Sequence, residues 1–306
     1  MSEVSIVIPA YNEQEAIHGV VTRLREVLQA AGIPHEILVV DDGSSDATAR
    51  AAAEAGATVV QHPQNRGYGR SLKTGILAAR YDRIAITDAD GTYPADRLPE
   101  LIALSDRFHM VVGARTGKYY RGTLVKRLGR FFFRLLSEYA AGQRIADINS
   151  GMRVFHRHDV RRFFPLICAG FSFTTTTTLV YLLNDLCVHH VPIDYQCREG
   201  YSKVNHFRDT LRALQIIVEA ILRYNPIKIF LLLAFPFVLL GAGFLIGAVM
   251  GRNWPAALCA CVAWATAGLV LGQGFLAVSV MPQRRFVNVP TESSSRDPGD
   301  DSPHDM

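Results

Sequence analysis

The sequence is poor in cysteine and has no zinc-binding pattern. Among 306 residues there are five cysteines: Cys168, Cys187, Cys197, Cys259 and Cys261. The number is odd, and no two of them have the spacing of a structural zinc site, which argues against a disulfide framework and against a structural metal held by cysteine. We therefore expect the protein to work in a reducing compartment.

The N-terminus lacks the features of a secretory signal. Residues 1–3 lead directly into an apolar, β-rich run, with neither a basic n-region nor a hydrophobic h-region before it. We therefore predict that there is no cleavable signal peptide and that the N-terminal half is cytoplasmic.

Charge is missing from two long stretches near the C-terminus. Residues 229–250 and 256–281 contain no charged side chain, and a helix rising about 1.5 Å per residue can cross a hydrocarbon core of about 30 Å over either length. The flanking basic residues are Arg223, Lys228, Arg284 and Arg285, and the connecting turn has only Arg252. The positive-inside rule therefore places both ends of this predicted transmembrane hairpin in the cytoplasm.

The N-terminal half alternates short apolar runs with amphipathic stretches. Predicted strands lie at residues 4–8, 36–40, 58–61, 83–87 and 110–113, and predicted helices lie at 13–30, 46–55 and 69–80. Ser45 is the predicted N-cap of the second helix. The alternation predicts an α/β fold with a mostly parallel sheet and helices on both faces.

Three polar segments directly follow predicted strands, at residues 9–13, 41–46 and 88–90. Ligands of such sheets bind outside the carboxyl ends of the strands, so these segments are expected to meet in one crevice. Asp88 and Asp90 flank Ala89 in the last segment. Two carboxylates at this spacing can share Mg²⁺ or Mn²⁺ with substrate phosphates, although Asp-x-Asp alone is also a common loop sequence.

Acidic residues are absent from a basic segment after the α/β part. Residues 115–134 contain seven Lys or Arg and no Asp or Glu. Apolar residues at helical spacing run through 124–135, which predicts a basic amphipathic helix of the kind that lies in a membrane interface, and 207–223 show a similar pattern. The alternative is that both helices simply pack on the α/β domain.

The order of the polar motifs resembles the signature of inverting family 2 glycosyltransferases, which have the Rossmann-like GT-A fold. These motifs lie at residues 9–13, 40–46, 65–67 and 88–91. Further motifs resemble the dolichyl-phosphate mannosyltransferase and polyprenyl-phosphate glycosyltransferase branch, and they lie at 113–115, 147–151 and 198–203. The resemblance covers residues 4–225.

The resemblance implies a role for each matching residue. The base and ribose pocket would be lined by Pro9, Tyr11, Glu13, Val40 and Asp42. Asp88 and Asp90 would hold the metal, with Ala89 beside the donor. Phosphate contacts would come from Arg115, Arg198, Ser202 and Lys203. Relatives carry a contributing Gln where this chain has Thr92, so water is the expected third metal ligand.

The acceptor side is less fully specified by the motifs. The resemblance places Asp147 where it would orient the acceptor or the sugar, and a lipid phosphate would give either Arg127 or Arg130 a bidentate partner. Relatives carry acidic residues after an aromatic where this chain has Phe173 and a threonine run at 174–178. We interpret that run as a half-buried strand, because threonine is β-branched.

The function implied is inverting transfer of a hexose from GDP-mannose or a UDP-sugar to a polyprenyl phosphate of the undecaprenyl or dolichyl type. Alternatives are a glycosyltransferase with another lipid acceptor and a non-catalytic membrane scaffold. Processive members usually carry Gln-x-x-Arg-Trp, a spacing that residues 283–286 lack. We expect membrane attachment and no nucleic-acid partner.

The chain divides into four predicted parts. They are a cytoplasmic catalytic domain (1–205), a juxtamembrane amphipathic helix (206–226), two transmembrane helices (227–283) and a disordered polar tail (284–306). Glycines recur every four residues on both predicted spans, at Gly243, Gly247, Gly251, Gly268 and Gly272. Such stripes allow close helix packing, either in a homo-oligomer or within the hairpin itself.

Two histidine pairs are the remaining metal candidates. His156 and His158, and the neighbours His189 and His190, have no third ligand at a suitable spacing in the sequence. We therefore expect no metal site at either pair.

Overall fold

The structure is a computed structural model that describes residues 3–117, 124–170, 172–197, 206–251 and 254–280. Within its helices the side chains of 124–128, 206–213 and 280 are outside the description. The chain divides into two units, Met1–Ile229 and Phe230–Met306.

The first unit contains a sheet of seven strands surrounded by helices. The strands are β1 Val4–Ala10, β2 His35–Asp41, β3 Thr58–Gln61, β4 Arg83–Ile86, β5 Met110–Thr116, β6 Arg153–His156 and β7 Val188–Asp194. The helices are α1 Ile17–Ala30, α2 Thr48–Glu54, α3 Tyr68–Ala78, α4 Leu98–Leu104, α5 Leu124–Ala141, α6 Arg157–Arg162, α7 Phe173–Leu183 and α8 His206–Tyr224. A 3-10 turn, Ala95–Arg97, precedes α4.

The strand order is β3-β2-β1-β4-β6-β5-β7. All neighbours pair in parallel except β6, which runs antiparallel to both β4 and β5. The predicted mostly parallel α/β sheet is therefore confirmed. The reversed β6 has a consequence for the site: Arg153, its first residue, pairs with Ile86, the last residue of β4. The loop before β6 thus lies at the same edge as the carboxyl ends of β1, β2, β4 and β5.

Both faces of the sheet are buried, which explains the continuous apolar runs of the central strands. Ile6, Ile8 and Val39 belong to one core cluster, together with α1 and α4. Val7 and Val40 point to the opposite face and pack with α3 and α7. A third cluster joins α5, α7 and α8 through residues such as Ala140, Leu182 and Ile217.

The interpretation of the threonine run as a strand is wrong. Residues 174–178 lie within α7 and are buried. Three of their hydroxyls donate one turn back along the chain: Thr176 to the carbonyl of Ser172 at 2.9 Å, Thr177 to that of Phe173 at 2.7 Å, and Thr178 to that of Thr174 at 3.0 Å. Because the hydroxyls find acceptors within the helix, polar β-branched residues can be buried there, and packing overrides their strand propensity.

The predicted N-cap of α2 is also wrong. The helix begins at Thr48, and the carboxylate of Asp46, not the hydroxyl of Ser45, accepts the Thr48 backbone N–H at 3.0 Å. Ser45 instead donates its backbone N–H to the side chain of Asn12 at 2.8 Å. Ser45 is thus engaged with the loop after β1, a contact that propensity cannot reveal.

The second unit consists of two long apolar helices, α9 (Ile227–Gly251), which starts at the end of the first unit, and α10 (Trp254–Val280). Both are long and apolar enough to cross a membrane. Only 11% and 17% of their most apolar stretches are buried, whereas a core helix of a soluble protein would be mostly buried. This composition supports the predicted spans.

Close contact between the two long helices uses glycines outside the predicted stripes. A side chain at Gly241 would lie 2.3 Å from the Trp264 indole nitrogen, and one at Gly274 would lie 2.8 Å from Cβ of Phe230. Side chains built at Gly243, Gly247, Gly268 or Gly272 would meet nothing within 4 Å. Hairpin packing therefore does not account for these four glycines, and the homo-oligomer remains a prediction.

Gly75 and Gly19 provide a matched test of core packing. A methyl group at Gly75 in α3 would lie 2.3 Å from Cγ1 of Val7, whereas one at Gly19 in α1 would meet nothing within 4 Å. We expect Gly75→Ala to lower the free energy of unfolding by about 1–3 kcal/mol through overpacking. Gly19→Ala should raise it by roughly 0.5–1 kcal/mol, because alanine favours the helix. Chemical unfolding in detergent compares them, and equal effects would contradict the packing described.

Candidate active site

The loops after β1 and β2 are held together by side-chain hydrogen bonds. The Asn12 backbone N–H donates to the Ser44 hydroxyl at 2.9 Å, and the Glu13 backbone N–H donates to the Thr48 hydroxyl at 2.8 Å. Asn12 adopts a positive φ of 52°, which asparagine tolerates better than most residues. These contacts fix the backbone that carries the exposed Tyr11 and half-buried Glu13.

Asp42 is buried at the end of β2 and organises the next loop. Its carboxylate accepts the backbone N–H groups of Arg66 at 2.9 Å and Gly67 at 2.7 Å. His62 lies 2.7 Å from the same carboxylate through Nδ1. Asp42 thus holds the 65–67 turn in place, and its predicted contact with a base or ribose would be made by a carboxylate already bonded to three groups.

The other predicted pocket residues differ in how accessible their side chains are. Pro9 and Val40 pair across β1 and β2, and both are buried. The side chain of Val40 packs on α3, where a methyl group at Gly75 would lie 3.0 Å from it. Any contact of Val40 with a ligand would therefore come from its backbone, and the pocket role of these residues remains a prediction.

Asp88 and Asp90 lie just beyond the carboxyl end of β4, as predicted. Half-buried Tyr68 donates its hydroxyl to Asp88 at 2.9 Å. Burial, reinforced by the negative charge of Asp88, raises the pKa of Tyr68 well above its ordinary value, so the phenol keeps its proton. Asp90 accepts the hydroxyl of Thr92 at 2.6 Å and its backbone N–H at 3.2 Å.

Gly151 approaches Asp88 so closely that a side chain at this position would require the Asp88 carboxylate to move. A side chain there would lie 2.6 Å from Oδ2 of Asp88, and the backbone N–H of Gly151 donates to the Tyr93 hydroxyl at 2.6 Å. The motif that carries Asp147 therefore forms the wall opposite the Asp88 carboxylate. The lack of a side chain at Gly151 makes room for the Asp88 carboxylate. In the sequence, the motif at 147–151 was the signal that pointed to this glycine.

Arg115 and Asp147 form a bidentate ion pair. Nε of Arg115 lies 2.7 Å from Oδ2 of Asp147 and Nη2 lies 3.0 Å from Oδ1, while the Arg115 backbone N–H donates to Oδ2 at 3.1 Å. Burial alone would raise the pKa of Asp147, but the charge and hydrogen bonds of Arg115, with the Asn149 backbone N–H, hold it below its ordinary value. Asp147 is therefore an ionised carboxylate.

The Arg115 guanidinium also packs over an aromatic ring, with Cζ 5.5 Å from the ring centroid of Tyr195. Tyr195 contacts Tyr93 edge-on at a centroid distance of 5.4 Å. The two predicted site residues Arg115 and Asp147 thus neutralise each other in a part-buried, aromatic setting. An incoming phosphate would meet an arginine that is already oriented.

Arg153 is a completely buried arginine behind this loop, and sequence reasoning missed it. Its guanidinium donates to the carbonyls of Ile148 at 2.6 Å, Ser150 at 2.7 Å and Thr174 at 2.9 Å, and to the Thr178 hydroxyl at 2.7 Å. Burial lowers its pKa to about 10, while the charge of Asp147 acts in the opposite direction. At neutral pH Arg153 is therefore a cation that fixes the loop at 147–151 to α7.

Helix α7 forms a wall of the candidate site that has no acidic side chain at residues 173–178, where relatives carry acidic residues. Buried Thr175 donates its hydroxyl to the Asn149 side chain at 2.6 Å. The threonine run itself was the sequence signal for this arrangement. A buried arginine needs hydrogen-bond acceptors, and a helix of threonines supplies both carbonyls and hydroxyls. The wall therefore offers amide and hydroxyl groups where carboxylates were expected.

The amphipathic helix α5 has one packed and one exposed apolar face. Phe133, Leu136 and Ala140 pack against α7 and α8. Phe131, Phe132 and Leu135 are exposed, Phe132 to 59%. Arg130 is half-buried on this helix, whereas the side chain of Arg127 lies outside the described residues.

Part of the predicted phosphate-binding set cannot be located. Arg198, Ser202 and Lys203 all fall outside the described residues. Their roles remain predictions from the resemblance.

The two carboxylates of Asp88 and Asp90 suit a divalent metal that keeps part of its water shell. Both offer hard oxygen ligands, and in the described part of the chain no third His, Cys, Asp or Glu joins them in a cluster. Mg²⁺ and comparable ions are commonly held by one or two carboxylates with water and substrate phosphates completing the shell. The residues therefore fit the predicted metal.

The fold and the sheet-edge carboxylates together define a Rossmann-like α/β protein of the nucleotide-binding type. The family described as Glycosyl transferase family 2 matches residues 5–164, slightly over half of the chain. The chain belongs to this family, and the predicted family is confirmed.

One relative is the undecaprenyl-phosphate 4-deoxy-4-formamido-L-arabinose transferase of Enterobacter sp. (strain 638). It is 35% identical over 166 residues, which are 51% of this chain and 49% of that protein. The chain thus spans about half the length of the curated relative it matches.

Solved structures share the fold at low sequence identity. Glucosyl-3-phosphoglycerate synthase from Mycobacterium tuberculosis, in complex with Mn²⁺, UDP and glucosyl-3-phosphoglycerate, has a TM-score of 0.58 and 18% identity, with 72% of this chain and 80% of that chain covered. Mannosyl-3-phosphoglycerate synthase from Rubrobacter xylanophilus has a TM-score of 0.56 and 19% identity, covering 72% and 74%. These likenesses confirm the fold.

Tyr68 and Tyr81 lie near opposite ends of β4 and allow a matched test. Tyr68→Phe removes the hydrogen bond that orients Asp88. We expect it to weaken Mn²⁺ binding by about 1.5 kcal/mol, or tenfold, because a hydrogen bond to a charged group is lost. Calorimetric titration with Mn²⁺ measures the change. Tyr81→Phe should match the wild type, and equal affinity in both variants would contradict the proposed role of Tyr68.

Proposed function

We propose that this protein transfers a sugar from a nucleoside diphosphate sugar to a polyprenyl phosphate at the membrane surface, with inversion at the anomeric carbon. The observation that carries the proposal is the Asp88/Asp90 pair of a family 2 sheet on the same chain as two membrane-length apolar helices. A soluble donor suits the first feature, and an acceptor that stays in the bilayer suits the second.

The donor side is supported by the fold neighbours. One of them was solved with Mn²⁺ and UDP, and another structure of the same enzyme with Mg²⁺ and UDP. On this chain Asp88 and Asp90 would hold the metal, whose charge would stabilise the leaving nucleoside diphosphate. Tyr68 and Gly151 fix the Asp88 carboxylate, while Tyr11, Glu13 and the backbone near Val40 would form the nucleoside pocket.

The acceptor side is supported by the relative named for undecaprenyl phosphate. A phosphate monoester has a second pKa of about 6 and is largely dianionic at neutral pH, so the reaction needs no strong protein base. An acceptor oxygen would attack the anomeric carbon in line as the bond to the diphosphate breaks. Asp147, whose pKa is held low by Arg115, orients Arg115 toward phosphate and does not itself take a proton.

The sugar is the open part of the proposal. We predicted a hexose, whereas the relative is named for an arabinose derivative. Purified protein should be incubated with undecaprenyl phosphate and a panel of GDP- and UDP-linked hexoses and pentoses, and the lipid products separated by chromatography. Transfer to another lipid alone would support the alternative acceptor class, and binding without turnover for every donor would support a scaffold.

We expect Asp90→Asn to reduce transfer at least a thousandfold and to abolish metal-dependent donor binding. The substitution keeps the shape of the side chain but removes the charge that a divalent ion requires. Asp96→Asn, at an exposed acidic position in the 3-10 turn, is the control and should retain activity. Wild-type turnover in excess chelator would refute the metal role of the Asp88/Asp90 pair.

The proposed membrane arrangement places the first unit on the cytoplasmic side. The exposed Phe131, Phe132 and Leu135 of α5 would enter the interface, and the adjacent basic residues would lie against anionic headgroups. Arg127 or Arg130 could then hold the lipid phosphate while the prenyl chain stays in the bilayer. The division of the chain into a catalytic domain, a juxtamembrane helix, two transmembrane helices and a tail, with boundaries after residues 205, 226 and 283, is part of this proposal.

Cysteine labelling tests this sidedness. In a background without the five native cysteines, Asn253→Cys should react with an impermeant thiol reagent added outside intact cells, because the positive-inside rule puts the turn outside. Ser293→Cys should react only after the cells are opened. The reverse pattern would overturn both the topology and the cytoplasmic supply of the donor.

A further inference from the structure

Three metal-ligating side chains meet at the edge of the sheet away from the Asp88/Asp90 pair. Asp82 precedes β4, His156 ends β6, and His158 lies in the first turn of α6. One ligand atom from each lies within 4.8 Å of the other two. The sequence spacing offered the histidines no third ligand, but the antiparallel pairing of β4 with β6 supplies Asp82.

Both histidine–carboxylate distances within the cluster suit tetrahedral coordination. Nδ1 of His158 lies 3.0 Å and Nδ1 of His156 lies 3.3 Å from the same oxygen, Oδ2 of Asp82. Ligand bonds of about 2.0–2.1 Å to zinc give tetrahedral ligand–ligand separations of about 3.3 Å. The other oxygen of Asp82 accepts the backbone N–H of His158 at 3.1 Å, which orients the carboxylate.

The remaining ring nitrogens have the partners expected around a metal site. Nε2 of His156 lies 3.3 Å from the carbonyl oxygen of Ser105, and Nε2 of His158 lies 3.2 Å from a carboxylate oxygen of Asp159. A carbonyl can only accept, so Nε2 of His156 carries the hydrogen. In the neutral ring, Nδ1 then turns a lone pair toward Asp82, and a proton or a metal ion must lie between them.

We propose that Asp82, His156 and His158 form a binding site for a transition-metal dication of the zinc type, with water as the fourth ligand. Two imidazoles and one carboxylate favour zinc, cobalt or nickel over magnesium, which prefers oxygen ligands. The site is separate from the Asp88/Asp90 pair, since the six steps along the chain from residue 82 to residue 88 span about 20 Å as a strand. His158 is 64% exposed, so an ion can enter from solvent.

Metal at this site would join two segments distant in sequence. Asp82 belongs to the loop between α3 and β4, whereas both histidines belong to the junction of β6 and α6. An ion that binds the folded chain and not the unfolded one raises the stability of the folded state. We therefore expect Zn²⁺ to raise the unfolding temperature of the first unit.

The test uses the full chain in mild detergent, purified without a histidine tag and stripped with chelator. Zn²⁺ binding is measured by equilibrium dialysis and by the shift in unfolding temperature, with Mg²⁺ in excess to occupy carboxylate sites. We expect one equivalent of Zn²⁺ to bind. His158→Ala and Asp82→Asn should each weaken Zn²⁺ affinity at least tenfold, because each substitution removes or impairs a metal ligand. Co²⁺ in place of Zn²⁺ should give the visible absorption of a tetrahedral site.

Two control variants establish that Zn²⁺ binds at this cluster and not elsewhere on the chain. His18→Ala removes an exposed histidine outside the cluster and should leave Zn²⁺ binding unchanged, as should Asp90→Asn. The unfolding temperature of His158→Ala in chelator reports whether that variant still folds. Zn²⁺ binding that is unchanged in His158→Ala and Asp82→Asn, or absent from the wild type, would show that the cluster is only a set of imidazolium–carboxylate ion pairs.

Discussion

The buried guanidinium of Arg153 is the interaction on which the candidate site depends. It lies at the first position of the one antiparallel strand in the described sheet and is completely buried. Its partners are three carbonyls and a hydroxyl, from the loop at 147–151 and from α7. Leaving a buried charged group without a hydrogen-bond partner destabilises the folded state, so this network links the conformation of the loop to the packing of a helix.

Arg153 holds the loop at 147–151, and this loop carries two residues of the candidate site, Asp147 and Gly151. Asp147 and Gly151 lie at the loop's two ends; the first pairs with Arg115 and the second lies against Asp88. The carboxylates of the candidate site have different partners: Asp42 accepts backbone N–H groups, Asp147 pairs with Arg115, and Asp88 accepts the Tyr68 hydroxyl.

The chain combines two regions that follow different packing rules. In the first unit both faces of the sheet are covered, and apolar side chains such as Ile6 and Val7 are fully buried. In the second unit large apolar side chains such as Leu239 and Ile246 are exposed along α9. Exposed apolar surface of that extent is stable only against lipid or another apolar partner. The two units suit the proposed reaction between a soluble donor and a lipid acceptor.

The sequence by itself determined the features that depend only on residues close together in the chain. The apolar runs predicted β1, β2 and β4, the Asp-x-Asp motif predicted the carboxylates after β4, and the uncharged stretches predicted α9 and α10. The motif order also identified the family. These features depend on hydrophobic periodicity and on neighbours in the chain, which a single sequence displays.

Only the tertiary structure decided the features that depend on contacts distant in sequence. The threonines at 174–178 lie in a buried helix that supplies acceptors to Arg153, and a side chain at Gly151 would collide with Asp88. Asp82 meets His156 and His158 because β6 reverses beside β4. Propensity acts over a few residues and amounts to fractions of a kcal/mol, whereas buried charges and close packing act across the fold and outweigh it.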